Sequence, residues 1–186
     1  MKLEGRRAVL KGALALIPTV AMRVAPALAA SAAEIDREVD AAIEKALQAV
    51  PETRDIVAKS KAVLIFPRIY KAGFMFGAQY GEGAMRKKGM TVGYYNSVAA
   101  SYGFQAGVQS FGYMLFFLTD HAVKYLEESG GFELGSGPSL VVLDSGTAKS
   151  FSTSTAQKDI AAMFFNQKGL MGGVGLQGSK LSRMKK

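Results

Sequence analysis

The chain has 186 residues, a formal net charge of +8 and a hydrophobic content of 49%, which is enough to bury the core of one compact domain. It contains no cysteine, and this excludes disulfides, thiolate metal sites, cysteine nucleophiles and a lipid-modified cysteine anchor. The single histidine, His121, excludes a metal site built from several histidines. We therefore expect no metal and no cofactor.

Residues 1–29 have the pattern of an export signal. A basic start leads into an apolar run of eleven residues, Gly12 to Met22, which is too short to cross a bilayer because a crossing takes about 20. Ala27-Leu28-Ala29 resembles a cleavage site of the A-x-A type. We expect the mature chain to begin near residue 30 and to be exported, either to the periplasm or out of the cell, with no transmembrane segment.

Two features favour the twin-arginine route. Arg6-Arg7 lies in a segment typical of such signals, and Arg23, just before the cleavage site, is disfavoured in ordinary secretion signals. The alternative is a Sec signal that carries two arginines. Removal of residues 1–29 takes away five of the 23 basic residues and one of the 15 acidic ones, which leaves a net charge of +4. This mild charge, without a recognisable nucleic-acid module, argues against a nucleic-acid partner.

The mature chain is predicted to begin with two helices. Ser31 is a candidate N-cap and Glu34 follows three residues later, which is the capping-box pattern. Pro51 suits the first position of a second helix that reaches about Lys59. The polar face of the first helix is acidic, so this helix does not by itself favour an anionic membrane. Its apolar residues recur at helical spacing: Ile35, Val39, Ile43, Leu47 and Val50.

Strands follow, with glycines that mark bulges, tight bends or close approach of another backbone. An apolar strand that ends at Phe66 runs into a proline and then into a basic connection that holds Arg68 and Lys71. A second basic connection, Arg86-Lys87-Lys88-Gly89, is predicted to be a hairpin turn. The predicted strands of this part are 62–66, 73–80 and 90–95, whereas 97–107 is rich in small residues and receives no assignment.

The second half is predicted to hold one more helix and further strands. Phe111 to Glu128 places apolar residues on one helical face, and Gly130-Gly131 follows it, as glycine commonly follows a helix. Residues 159–165 suit a helix or a strand, and we favour a strand paired with 170–177. Two strands are predicted at 139–144 and 148–153, and the basic tail 179–186 is predicted to be frayed.

This order of elements is helices, strands, a helix and more strands, which is not the alternation of a parallel sheet. It indicates an α+β fold with a curved antiparallel sheet or partial barrel, covered by the N-terminal and central helices. We find no repeat of fixed period and no internal boundary. Residues 30–186 are therefore predicted to form a single domain.

Motifs that would indicate catalysis are weak. Gly173 to Gly178 matches G-x-G-x-x-G, but a dinucleotide site needs this motif directly after the first strand of a βαβ unit. Asp120-His121 is the one acid–histidine pair, yet neighbouring residues on a helix diverge in direction. A serine–histidine–acid site assembled from distant residues stays open, because such sites are defined by geometry. Acidic residues stand singly, without the close spacing of a calcium loop.

The basic residues near the predicted turns are more informative. Lysines and arginines in loops can hold phosphate head groups while apolar neighbours meet the acyl layer. The alternative is an ordinary solvated surface, because charged turns are common. The candidate lipid-binding residues are Arg68, Lys71, Arg86, Lys87, Lys88, Lys180 and Arg183, together with Phe74 and Phe76.

Four segments together resemble one known family. They are IFPRIYKAGFMFGAQYGEGAM, YYNSVAASYGFQAGVQSFGYMLFF, ELGSGPSLVVLD and NQKGLMGGVGLQGSK. In this order they resemble the SYLF-domain family, which is related to a yeast actin-binding protein. The resemblance runs from about Ser31 to Ser179, and the pair Tyr94-Tyr95 is similar to the bacterial branch of the family.

The resemblance implies a lipid-binding module without enzymatic activity. Eukaryotic relatives bind phosphoinositides and act in membrane remodelling, and some bind and bundle actin. Those relatives use a basic amphipathic N-terminal segment, whereas residues 36–44 here are acidic, so affinity for anionic phospholipid membranes in general is the expectation that transfers. The alternatives are a lipid-independent module that binds a protein, an actin-like partner or itself, and a hydrolase with an unrecognised site.

Overall fold

One sheet of seven strands and three helices make up the regular structure of the described residues. The structure, a computed structural model, describes residues 30–74, 76–102, 107–143, 158–169 and 178–186. In chain order the elements are α1 (Ala32–Ala49), α2 (Thr53–Lys59), β1 (Ala62–Phe74), β2 (Phe76–Lys87), β3 (Met90–Tyr102), β4 (Gly107–Phe117), α3 (Asp120–Glu128), β5 (Leu140–Leu143), β6 (Ile160–Gly169) and β7 (Lys180–Met184).

The strands lie in the order β5-β6-β4-β1-β2-β3-β7, and the sheet is open. Every neighbouring pair is antiparallel except β5 and β6, which are parallel. Residues 144–159 separate these two strands, and a parallel connection requires a length of this order. The predicted α+β fold with a curved sheet is confirmed, and the expectation of a purely antiparallel sheet is corrected at this one pair.

The described residues pack on both faces of the sheet and form a hydrophobic core on each. On the face that we call outer, α1 and α2 pack on Val63, Ile65 and Met114. On the opposite face, which we call inner, α3 and the segment after it pack on Leu64 and Tyr113. Because successive residues of a strand point to opposite faces, the two cores alternate along β1 and β4.

The inner face is strongly concave. The hydroxyl of Tyr113 in β4 donates a hydrogen bond of 2.7 Å to the hydroxyl oxygen of Ser97 in β3. Strands β1 and β2 lie between them, so the two backbones would be about 14 Å apart in a flat sheet. Only a curled sheet brings these side chains together. Glycine at position 83 permits the close approach, because a Cβ there would overlap the carbonyl oxygen of Ile65.

The helix predicted at 111–128 is wrong in its first half. Residues up to Phe117 belong to β4, and only Asp120–Glu128 is helical, as α3. All residues from Phe111 to Phe117 are buried, because β4 lies inside the sheet and packs against both cores. A strand buried on both faces has a continuous apolar sequence, and such a run also satisfies the spacing of a helix.

The basic connection predicted after Phe66 is also wrong. β1 continues through Pro67 to Phe74, with a bulge between Phe66 and Ile69. A bulge interrupts the hydrogen bonds of the ladder, and this is where a strand tolerates proline. Arg68 and Lys71 therefore lie within a strand and not in a turn.

The C-terminal residues are ordered, contrary to the prediction of a frayed tail. Lys180–Met184 forms β7, which pairs antiparallel with β3. Leu181 is completely buried in the inner core. The charged residues of the tail concealed this strand in the sequence, because only one of its side chains is fully buried.

Several local predictions are confirmed. α1 begins after Ser31, whose hydroxyl accepts a hydrogen bond of 3.2 Å from the N–H of Glu34. Lys88 and Gly89 form the β2–β3 turn with positive φ angles of 50° and 80°, and the strand favoured at 159–165 is β6. The strand predicted at 148–153, the pairing with 170–177 and residues 173–177 of the glycine motif lie outside the described residues.

Candidate functional site

Part of the outer face is left uncovered by the described helices. α1 and α2 cover the end of the sheet where β1 begins, and the β1 residues in their apolar core, Val63 and Ile65, lie before its bulge. Beyond the bulge, Tyr70, Tyr80 and Val98 lie directly opposite one another on β1, β2 and β3. These residues are 55%, 45% and 43% exposed. A row of three large apolar side chains therefore faces outward.

The same surface extends towards the β1–β2 hairpin. Phe76 is 70% exposed and Val108 is 67% exposed, and exposed alanines occupy the positions between the larger side chains. Contiguous exposed apolar patches on a protein surface mark interaction sites when they are large. We call this surface the uncovered face. It comprises Tyr70, Ala72, Phe76, Ala78, Tyr80, Val98, Ala100 and Val108.

Two of the basic residues predicted to bind lipid lie at the margins of the uncovered face. The guanidinium of Arg68 lies 5.9 Å from the centre of the Tyr70 ring and donates a hydrogen bond of 3.1 Å to the Tyr70 hydroxyl. This hydrogen bond raises the pKa of Arg68, so the side chain stays a cation. Lys180 of β7 pairs with Val98 and is exposed at the other margin.

A cavity of about 380 Å³ adjoins Arg68. It lies between α1 and the bulge of β1, and Glu38 and Lys45 of α1 line it together with Arg68 and Tyr70. Its charged lining residues are one acidic and two basic. The cavity marks the boundary between the covered and the uncovered parts of the outer face.

Arg86, also predicted to bind lipid, is held by α1. Its side chain is 12% exposed, and its guanidinium lies 2.6 Å from the carboxylate of Asp40 and 3.4 Å from that of Asp36. Thr91 and Tyr94 donate hydrogen bonds of 2.7 Å and 2.8 Å to the same Asp36 carboxylate. This network joins α1 to β2 and β3. We call it the α1 anchor.

The neighbouring basic residues of the β2–β3 turn lie far from the uncovered face. Lys87 forms an ion pair of 2.7 Å with Glu127 of α3. Lys88 is exposed at the turn itself, at the end of the sheet opposite to the β1–β2 hairpin.

Lys71 and Arg183 lie on the inner side. Lys71 alternates with the outward-facing Tyr70 and is only 7% exposed. Arg183 is exposed and donates a hydrogen bond of 3.3 Å to the carbonyl oxygen of Val92. The side chain of Phe74 lies outside the described part of the chain. Of the nine predicted residues, the structure brings three to one surface: Arg68, Phe76 and Lys180.

The sequence reasoning missed most of the uncovered face. It selected charged residues and the two phenylalanines of the hairpin, but not Tyr70, Tyr80, Val98 or Val108. The available signal was the alternation of apolar residues on either side of the hairpin, at 70, 72 and 74 and at 76, 78 and 80. Alternation shows that two faces differ, but it does not show which face a helix covers.

The single histidine belongs to a cluster that fixes the start of α3. Asp159 accepts hydrogen bonds of 2.9 Å from the hydroxyls of Ser139 and Thr119, and Thr119 is the N-cap of α3. Burial acts to raise the pKa of Asp159, but the hydrogen bonds from Ser139 and Thr119 outweigh it, so the pKa is lowered. His121 is exposed, and its Nδ1 lies 3.7 Å from the same carboxylate.

The order of groups in this cluster does not suit a nucleophilic serine. The carboxylate of Asp159 stands between Ser139 and His121, whereas a serine nucleophile needs the imidazole as its direct neighbour. The described residues also contain no group of three histidine, aspartate or glutamate side chains placed to hold a metal ion. We assign the cluster to the stability of the β4–α3 connection.

Comparison with known proteins matches the second half of the chain to a family model. Residues 98–186 match the model of the Ysc84 (SYLF) family, whose description is "Las17-binding protein actin regulator". The matched region begins in β3 and contains β4, α3, β5, β6 and β7. No curated protein matches the chain. Within the described residues, no helix has both the length and the apolar character that are needed to cross a membrane.

The α1 anchor leads to a prediction about stability. Replacement of Arg86 by methionine keeps an apolar stem of similar length but leaves Asp36 and Asp40 without their cation. We expect the free energy of unfolding to fall by about 2 kcal/mol, since hydrogen bonds to charged groups contribute in this range. Urea denaturation followed by circular dichroism measures the change.

The matched control is Arg54→Met on α2, which removes the same charge from an exposed position. Its effect should stay within about 0.5 kcal/mol, as is usual for surface substitutions. Equal losses of stability for the two variants would show that Arg86 does not anchor α1.

Proposed function

Because residues 98–186 belong to the SYLF (Ysc84) family, a family of binding and regulatory domains, we propose that this chain is a non-enzymatic module that binds anionic phospholipid membranes through the uncovered face. The observation that carries the proposal is the exposed apolar surface of Tyr70, Phe76, Tyr80 and Val108. Such a surface is costly in water and gains free energy when it enters the boundary between head groups and acyl chains.

The chemistry of these side chains suits that boundary. Tyrosine has an apolar ring and a polar hydroxyl, and it is enriched where membranes meet water. Transfer of one large apolar side chain from water contributes about 1.5–3 kcal/mol when it is complete. The apolar side chains therefore provide most of the binding free energy in this proposal.

Charge provides the preference for anionic lipid. Arg68 and Lys180 lie at the margins of the uncovered face. There the guanidinium and the ammonium group would reach lipid phosphates while the apolar residues insert. Each basic side chain near an anionic surface adds about 1 kcal/mol. The exposed Lys88 and Arg183 contribute to long-range attraction without contact, and the internally bound Arg86 and Lys87 contribute less.

The proposal is tested by co-sedimentation of the protein with vesicles of phosphatidylcholine, with and without phosphatidylserine. Binding should rise with phosphatidylserine and fall with salt. The double replacement Tyr70→Ser with Val108→Ser should lower the partition coefficient at least about tenfold, because two apolar side chains no longer enter the membrane.

Val142→Ser is the matched control for this measurement. Val142 is 51% exposed on β5, outside the uncovered face, and the replacement is chemically the same as at Val108. It should leave the partition coefficient unchanged. If the double variant binds vesicles as well as the wild type does, the membrane contact lies elsewhere on the protein. If the wild type binds no anionic vesicle, the proposal is refuted.

We also propose that residues 1–29 direct export by the twin-arginine route, which places the mature domain at the outer side of the cytoplasmic membrane. Replacement of Arg6 and Arg7 by lysine keeps the charge of the segment but alters the paired guanidinium groups. We expect the precursor to accumulate inside the cell, and fractionation followed by immunoblotting detects it. Undiminished export of this variant would indicate the Sec route.

A second candidate function is the binding of a protein. The description of the matched family names a protein partner and the regulation of actin, and an apolar surface like the uncovered face can also be buried against a protein. Sedimentation equilibrium of the purified chain tests the simplest form, self-association. This candidate would be favoured if the wild type is a dimer that does not bind vesicles and if the double replacement makes it a monomer.

A further inference from the structure

The inner face holds a lysine whose charge has no counterpart among the described residues. Lys71 is 7% exposed, and it forms no ion pair with a carboxylate of the described chain. The stem of this side chain is buried, but its ammonium group is not among the fully buried polar atoms, so the charge reaches solvent. A cation that is held here without a carboxylate beside it is open to an anionic ligand.

Two buried amides flank this lysine. Gln79 of β2 and Gln109 of β4 lie directly opposite Lys71 on the strands to either side, and they are 6% and 4% exposed. Residues opposite each other in antiparallel strands have Cβ atoms about 4.5–5.5 Å apart, so the three polar ends can converge on one point. The three residues form a continuous polar row across β4, β1 and β2.

The row is only partly satisfied by the protein. The amide nitrogen of Gln79 donates a hydrogen bond of 2.9 Å to the hydroxyl oxygen of Ser179. The side-chain oxygen of Gln109 is buried and has no hydrogen-bond partner. A buried amide oxygen without a partner is rare in protein interiors, where almost all buried polar groups are paired.

The rest of the sequence offers little compensation. Outside the described residues, the only acidic residues are Glu4 and Asp144. Glu4 belongs to the segment that is predicted to be removed on export. Asp144 is therefore the single internal candidate for a counter-charge, and it is included in the test below.

We infer that Lys71, Gln79 and Gln109 form a binding site for one oxyanion of the phosphate class. The ammonium group would neutralise the anion, and the amide of Gln109, in either of its two orientations, would bond to a phosphate oxygen or to a phosphate hydroxyl. The site lies on the opposite side of the strands that carry the uncovered face. It therefore does not depend on the function proposed above.

Two sources could provide this anion, a soluble phosphate or phosphate monoester and the head group of a phosphatidic acid. Both present the same terminal phosphate to the row. The chemistry of the three side chains defines this group, and the arms of the experiment distinguish its source.

The first arm measures the thermal unfolding midpoint of the full chain in sodium phosphate and in sodium chloride at equal ionic strength and pH. A ligand that binds only the folded state raises this midpoint, and we expect a rise of about 3 °C or more near saturation. Lys71→Met should lose the rise. In chloride this variant should be about as stable as the wild type, because the ammonium group of Lys71 forms no ion pair within the described residues.

The control is Lys124→Met, which removes the same charge from an exposed position on α3 and should keep the response to phosphate. Gln109→Met provides a second variant of the site and should weaken the response. If Lys71→Met does not fold, the response of Gln109→Met decides. An unchanged phosphate response in either site variant overturns the inference.

A lower midpoint of Lys71→Met in chloride, reproduced by Asp144→Asn, would show that the lysine has an internal partner and would also overturn the inference.

The second arm compares glycerol 3-phosphate with vesicles that contain phosphatidic acid. A midpoint rise with glycerol 3-phosphate assigns the site to a soluble monoester. A loss of binding to phosphatidic acid on Lys71→Met, without any response to soluble phosphates, assigns it to the lipid head group.

The double replacement Tyr70→Ser with Val108→Ser separates the two proposals. It should keep the response to soluble phosphate while it loses affinity for phosphatidylserine vesicles. A protein that binds vesicles but shows no effect of Lys71→Met in any arm retains the proposed function and lacks the inner site.

Discussion

The ion pairs of Arg86 with Asp36 and Asp40 join α1 to the outer face, beside the apolar residues that α1 buries there. The sheet is long, and one helix of 18 residues with its short neighbour α2 cannot cover the outer face over the whole length of its strands. Because the anchor holds α1 at the end where β1 begins, the opposite end remains uncovered. The position of α1 at one end of the sheet therefore leaves an apolar surface at the other end, and the function proposed for the chain depends on that surface.

Beyond the bulge of β1, the inner and outer faces of the same strands carry different kinds of side chain. Inside, the strands close around Tyr113, Ser97 and the polar row of Lys71, Gln79 and Gln109. Outside, the same strands present Tyr70, Tyr80 and Val98 to solvent. Along β1 an inward lysine without an ion pair thus follows a tyrosine that is 55% exposed on the outer side. The two proposals place an anion on the inner side and a membrane on the outer side.

The sequence predicts those features that depend on neighbouring residues. The cap of α1 at Ser31 and the β2–β3 turn at Lys88-Gly89 follow from local backbone chemistry, and both are confirmed. The resemblance to the SYLF family was recognisable because four segments occur in one order, and the family model matches residues 98–186. β4 was mistaken for a helix because burial on both faces removes the alternation that identifies a strand. The bulge at Pro67, the pairing of β7 with β3 and the uncovered part of the outer face depend on contacts between distant residues, so no local pattern reports them.

The most direct test of this account uses the absence of tryptophan from the chain. Val108→Trp places a single fluorescent probe on the uncovered face, and Val142→Trp places the same probe at a similarly exposed position on β5. With anionic vesicles whose acyl chains carry bromine, the emission of the probe at 108 should shift to shorter wavelength and be quenched, whereas the emission of the probe at 142 should not change. Vesicle-bound protein in which the probe at 108 stays unshifted and unquenched would contradict the claim that this face enters the membrane.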